Sequence, residues 1–167
     1  MLSFELLLLQ TVALVSEPPG SLVYHLVLLF TLEGAAAIAI SEWRRNRSPL
    51  ELRIALAASA IFLVRLVTFL AALAAAAGIV DSLIALPPLD RAASGLSILL
   101  LLWAFAFPDS VRLADAALVG LGFAGLLAFG VSYGLWRQDV TAGAEFYNGT
   151  THETIWELAQ IGLLLIG

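Results

Sequence analysis

Two ionisable residues, Glu33 and Arg65, lie in successive segments of the chain that are otherwise apolar. A carboxylate and a guanidinium at membrane depth can form an ion pair, hold a ligand or take part in a proton relay. An ionisable group at the centre of a bilayer costs about 2.5 to 3.5 kcal/mol on insertion scales, so it is normally paired, solvated or functional. These two residues are therefore the first candidates for chemistry.

The positions of the two residues predict that they pair. Glu33 lies roughly 12 Å, and Arg65 roughly 16 Å, from the same end of two antiparallel helices at 1.5 Å rise per residue. The favoured interpretation is a clamp that fixes helix register, and the alternative is a switch or a ligand site. Thr68, one turn after Arg65, and Gln160 are the further members expected in this network.

Several kinds of chemistry are excluded by residue types that the chain lacks. All basic residues are Arg, so no Lys is present to form a Schiff base with retinal or pyridoxal phosphate. The absence of Cys excludes disulfides, Cys-ligated zinc and iron–sulfur clusters. The chain contains no catalytic motif, so we assign no catalytic residue, no metal ligand and no cofactor, and enzyme activity stays open. His25 and His152 are interpreted as hydrogen-bonded interfacial residues rather than haem ligands.

The composition indicates which elements must position these side chains. The chain of 167 residues is 61% hydrophobic and 13% charged, with a mean hydropathy of +0.98. These values are typical of an all-α, polytopic integral membrane bundle that forms a single domain over residues 1–167. Four full transmembrane helices are predicted, over residues 21–40, 54–80, 92–107 and 116–136.

Segments outside these four spans complete the prediction. Residues 1–19 contain a short apolar or interfacial helix, and whether residues 1–16 cross the membrane is left open. Residues 81–90, which contain two prolines, are predicted as an outer loop. Residues 156–167 begin a fifth span that is too short to cross, so we expect the sequence to be a fragment whose C-terminal portion is missing.

The arginines predict the orientation of the spans. Arg44, Arg45, Arg47 and Arg53 cluster around one short loop, and the positive-inside rule places loop 41–53 on the cytoplasmic side of the membrane. The high content of Arg, Ala, Leu and Gly without Lys suggests a bacterial source, so the expected location is a bacterial inner membrane. The expected partners are the lipid bilayer and a second copy of the chain in a homodimer. No nucleic-acid partner is expected, and the sequence names no stimulus or ligand.

Three stretches carry a resemblance to a known group of proteins. They are GSLVYHLVLLFTLEGAAAIA, WRRNRSP and LPPLDRAASGLSILLLLWAFAFP. They resemble the N-terminal multi-helix membrane regions of bacterial sensor histidine kinases and related signalling proteins, and the resemblance covers about residues 1 to 115. It implies a module that detects something in or near the membrane and passes a helix movement inward. The phosphoacceptor His and the ATP-binding motifs of that group are missing from this chain.

The function expected from the sequence is therefore a sensory or anchoring input module of a bacterial signal-transduction protein, without its C-terminal output domain. The alternative is a fragment of a small-solute or proton-coupled transporter, in which Glu33 and Arg65 line the path. A haem- or quinone-binding membrane subunit is a third interpretation. The predicted spans contain no interior Pro and no visible repeat, which counts against a transporter.

Overall fold

The computed structural model describes residues 20–107, 110–143 and 150–166 of the chain. Within these ranges the chain forms five helices, which confirms the predicted all-helical class. The helix predicted within residues 1–19 lies outside the described residues. The helices are α1 (Gly20–Asn46), α2 (Pro49–Ala76), α3 (Ser82–Phe105), α4 (Val111–Thr141) and α5 (Thr151–Ile166).

The first four helices are long and apolar enough to cross a membrane. Their outward-facing side chains are largely aliphatic or aromatic; Phe30, Val119 and Leu126 are 65%, 71% and 72% exposed. A protein folded in water rarely leaves such a continuous apolar surface uncovered. The four helices are therefore compatible with a multi-pass membrane protein.

Local sequence signals explain where α2 begins and ends. Ser48 is the N-cap and its hydroxyl accepts a hydrogen bond from the backbone N–H of Glu51 across 3.1 Å, while Pro49 occupies the first helical position. Both residue choices are favoured at a helix start. At the other end Gly78 adopts a φ of 72°, a left-handed conformation that terminates the helix.

The prediction of an outer loop over residues 81–90 is wrong, because this segment forms the N-cap and the first turns of α3. Asp81 is the N-cap, and its carboxylate accepts hydrogen bonds from two backbone N–H groups of the first turn. Pro87 and Pro88 lie inside the helix, so the expectation that no span has an interior proline is wrong for α3. A proline removes a backbone donor and usually interrupts a helix. Here the helix begins at a residue capped by Asp81 and continues through both prolines.

One of the carbonyl groups left without its helical donor is bonded from a neighbouring helix. In an uninterrupted α-helix, the N–H of residue 87 would donate to the carbonyl of Leu83. The indole N–H of Trp136, a fully buried side chain of α4, donates to that carbonyl across 3.3 Å. The interior prolines are thus accommodated partly through tertiary contact.

The helices pack as neighbours in chain order. Successive helices from α1 to α4 are in contact, and α5 lies against α3 and α4. The short connections make these neighbours antiparallel. Small residues such as Ala57 and Ala104 are buried at the contact between α2 and α3, together with Ile61 and Leu100. Since α3 contacts α2, α4 and α5, it is the central helix of the described fold.

Candidate functional site: two ion pairs on one helix

The guanidinium of Arg65 contacts α3. Its Nη1 donates to Asp90 Oδ1 across 2.8 Å, and its Nη2 donates to Ser94 Oγ across 3.0 Å. Asp90 and Ser94 are four residues apart, so they occupy the same face of α3. The Arg65 side chain is 16% exposed, and that of Asp90 is 44% exposed. This ion pair ties the middle of α2 to the first half of α3.

The predicted pair of Glu33 and Arg65 is not formed. Glu33 is exposed on α1, and its carboxylate makes no hydrogen bond or ion pair with any residue that the structure describes. Arg65 forms its ion pair with Asp90 instead. Interpreting residues 81–90 as a loop placed Asp90 outside the bundle, which is why the sequence did not suggest it as a partner.

The two other residues of the predicted network have different contacts. The buried Thr68 hydroxyl donates to the backbone carbonyl of Arg65 across 2.8 Å, so it does not contact the guanidinium through this bond. Gln160 Nε2 lies 3.4 Å from the backbone carbonyl of Arg91 and donates to it. Gln160 of α5 therefore lies beside Arg91 of α3.

Arg91 forms the second ion pair of the site. Its Nη2 donates to the Glu153 carboxylate on α5. The side chain of Glu153 is 9% exposed and that of Arg91 is 29% exposed, so the pair is largely shielded. Because Asp90 and Arg91 are consecutive, their side chains leave α3 about 100° apart. One residue pair on α3 thus reaches α2 on one side and α5 on the other.

Further polar contacts hold the first half of α5. His152 Nε2 lies 2.9 Å from Asp139 Oδ2, close to the end of α4. The indole N–H of Trp156 donates to Ser132 Oγ on α4 across 3.0 Å.

An apolar cavity lies between α3, α4 and α5. Its volume is about 240 Å³, and its lining includes Gly95, Gly122, Phe129 and Trp156. A Cβ atom added to Gly122 would lie 3.5 Å from the Leu99 side chain. The interface of α5 therefore contains free space beside the polar contacts.

The arginines near loop 41–53 occupy different environments. Arg45 forms an exposed ion pair with Glu42, and the guanidinium of Arg47 lies 5.1 Å from the ring centroid of Trp43. Arg44 is exposed near the end of α1. These three side chains are suited to an interface with water or lipid headgroups.

Arg53, in contrast, is buried at the end of α3. It is 4% exposed, and it donates hydrogen bonds to the backbone carbonyls of Trp103, Ala104 and Phe107. A cation at this position also interacts favourably with the negative end of the helix dipole. Sequence patterning identified Arg53 as a topology determinant but gave no signal for this capping contact.

The site offers paired charges, hydrogen-bond donors and an apolar space, and it contains no assembled nucleophile and base. Among the residues described, no group of three His, Cys, Asp or Glu side chains is arranged to hold a metal ion. The chemistry available is the making and breaking of ion pairs between helices. Comparison of the chain with family models, curated proteins and solved structures finds no match.

Proposed function

We propose that this chain is a membrane-embedded sensory or anchoring input module of a bacterial signal-transduction protein, and that α5 carries a helix movement to a C-terminal output domain. The observation that carries this proposal is the pair of adjacent charges on α3. Asp90 bonds to α2 and Arg91 bonds to α5, so a displacement of α3 acts on both neighbours.

The attachment of α5 suits a relay element. Its described polar contacts involve His152, Glu153, Trp156 and Gln160, all in the first ten residues of the helix. Farther along, Leu164 is 63% exposed. A helix held by polar contacts at one end can change its tilt while that end stays attached. The adjoining apolar cavity leaves room for repacking.

The free-energy cost of leaving a charge unpaired favours two distinct arrangements of α5, one docked on α3 and one displaced from it. Removing Glu153 from Arg91 would leave a guanidinium without its carboxylate in a shielded environment, and breaking a buried pair typically costs about 3 to 5 kcal/mol. A stimulus that supplies a new partner, or that shifts α3, would change the balance between the arrangements. In this mechanism Arg91–Glu153 is the switching pair and Arg65–Asp90 is the anchor.

The orientation proposed for the module places loop 41–53 on the cytoplasmic side of a bacterial inner membrane. The ends of α1 and α3 and the starts of α2 and α4 share one end of the bundle, where Arg44, Arg45, Arg47, Arg53 and Arg112 occur. The excess of basic residues at this end supports a cytoplasmic location. Because the chain has no Cys, single engineered cysteines at Arg47 and Gln138 can be labelled selectively, and only Arg47→Cys should be protected from an impermeant reagent added outside cells.

The functional proposal is tested on the complete gene product. The coding sequence beyond Gly167 should encode a cytoplasmic signalling domain, and Glu153→Gln should change the output of the full-length protein at a given stimulus level. Arg45→Gln is the matched control because it disrupts an exposed pair at the other end of the bundle. Further spans without a soluble domain would contradict the proposal and favour the transporter fragment, which predicts solute or proton flux in proteoliposomes.

A further inference from the structure

We infer that the exposed face of α1 around Glu33 binds a transmembrane helix of another protein that carries an Arg or a Lys at mid-membrane depth. This inference rests on the proposed insertion of α1 into the bilayer. It concerns a surface separate from the ion pairs of α3, and it does not depend on the output domain.

Glu33 lies well inside the candidate membrane span Leu22–Asn46, whose residues from Ser41 onward form a polar end. At 1.5 Å rise per residue it is about 17 Å from Leu22 and about 12 Å from Ser41, where the polar end of the helix begins. Neither end is close enough for a glutamate side chain to reach the interface from this depth. An exposed carboxylate at this position would therefore meet hydrocarbon, where an ionisable side chain normally requires a partner.

The described part of the chain supplies no such partner. Arg65 already contacts Asp90 and Ser94, and Arg91 already contacts Glu153. Arg53 donates to carbonyl groups at the end of α3. Residues 1–19 contain no Lys, Arg or His, so that segment has no basic side chain to offer.

The residues around Glu33 are suitable for helix packing. Val23, Leu26 and Phe30 are 58%, 42% and 65% exposed, and they provide an apolar surface on the N-terminal side of the carboxylate. A Cβ added to Gly34 would meet no atom within 4 Å, so the backbone there is open to an approaching helix. Small residues at such positions permit close contact between membrane helices.

Charge complementarity distinguishes the inferred partner from a second copy of this chain. A symmetric contact through this face would bring two Glu33 carboxylates together, and like charges oppose such a contact. The described residues contain no exposed arginine at the same depth that a second copy could contribute. A partner helix with one central Arg or Lys satisfies the carboxylate directly and can pack against the adjoining apolar residues.

The test uses the 167-residue chain in phosphatidylcholine vesicles, labelled through Ser41→Cys. The probe is a synthetic transmembrane Leu/Ala helix with one central Arg, and the comparison peptide has Leu at that position. Energy transfer should show about tenfold tighter association with the Arg peptide, a difference expected from one interhelical charge-assisted contact. Glu33→Gln should abolish the difference, and Glu33→Asp should retain part of it. Glu157, an exposed glutamate of α5, provides the control, and Glu157→Gln should leave the difference unchanged.

Equal association of the two peptides with the wild-type chain would overturn the inference. Glu33-dependent self-association that excludes the Arg peptide would also overturn it and identify a second copy as the occupant. Protease protection in the same vesicles measures insertion separately. Failure of α1 to insert would overturn both the proposed membrane placement and this inference, whereas insertion without discrimination would overturn this inference alone.

Discussion

The indole N–H of Trp136 donates to the backbone carbonyl of Leu83, whose usual helical donor is absent because residue 87 is proline. We expect Trp136→Phe to remove this bond and lower the free energy of unfolding by about 1 to 3 kcal/mol, the cost of an unsatisfied buried acceptor together with altered packing. SDS-induced unfolding of the protein in mild detergent micelles measures the change.

A double-mutant cycle with Pro87→Ala isolates the hydrogen bond from the packing. This second substitution would restore a backbone N–H that can donate to Leu83, so the loss of the Trp136 indole should matter less in that background. Equal effects of Trp136→Phe in the wild-type chain and in the Pro87→Ala variant would contradict the compensation between the two donors.

Arg53 should be among the most important side chains for the stability of the fold. We expect Arg53→Met to lower the free energy of unfolding by about 3 kcal/mol, because it removes charge-assisted bonds to the last carbonyls of α3. Thermal unfolding in detergent measures the loss. Arg45→Met is the control, and its effect should stay below about 1 kcal/mol because its pair with Glu42 is exposed.

Arg65 should be energetically coupled to Asp90 and not to Glu33. Arg65→Met and Asp90→Asn should each destabilise the protein, and the double variant should lose less than the sum of the two. A coupling of about 1 kcal/mol is expected for one polar contact between membrane helices. The cycle of Arg65→Met with Glu33→Gln should be additive, and a larger coupling with Glu33 would contradict the contacts described.

The pair of Arg91 and Glu153 should be more costly to break than to replace. Glu153→Gln leaves Arg91 partly shielded without its carboxylate, and we expect a loss of about 3 kcal/mol. Replacing both residues, with Arg91→Met and Glu153→Leu, should recover part of that loss. Unfolding measurements on the single and double variants give the comparison, and equal losses would argue against an unpaired charge as the cause.

The sequence predicted the elements more successfully than their polar contacts. Long apolar segments define four helices because a membrane-length helix needs about 20 apolar residues in succession. The start of α3 was missed because the sequence rule for Pro87 and Pro88 considers local hydrogen bonds only. The indole that bonds to Leu83 comes from a residue far along the chain, so no local pattern reveals it.

The same error concealed the partner of Arg65. Once residues 81–90 are interpreted as a loop, Asp90 has no fixed position and Glu33 becomes the available carboxylate. Similarly, the fifth span is predicted to begin at residue 156, whereas α5 begins at Thr151 and has Glu153 in its first turn. The type of each charged residue was informative, but its partner depended on the rotation of the helices, which the sequence did not specify.

The adjacent residues Asp90 and Arg91 have an electrical consequence for the proposed membrane module. Their formal charges cancel on α3, and the partners Arg65 and Glu153 cancel one another as well. A transmembrane potential acts on a displaced net charge, with about 2.3 kcal/mol for each elementary charge moved through 100 mV. A sliding of α3 with both its charges along the membrane normal transfers no net charge through the field, so this movement responds to helix contacts and is insensitive to voltage.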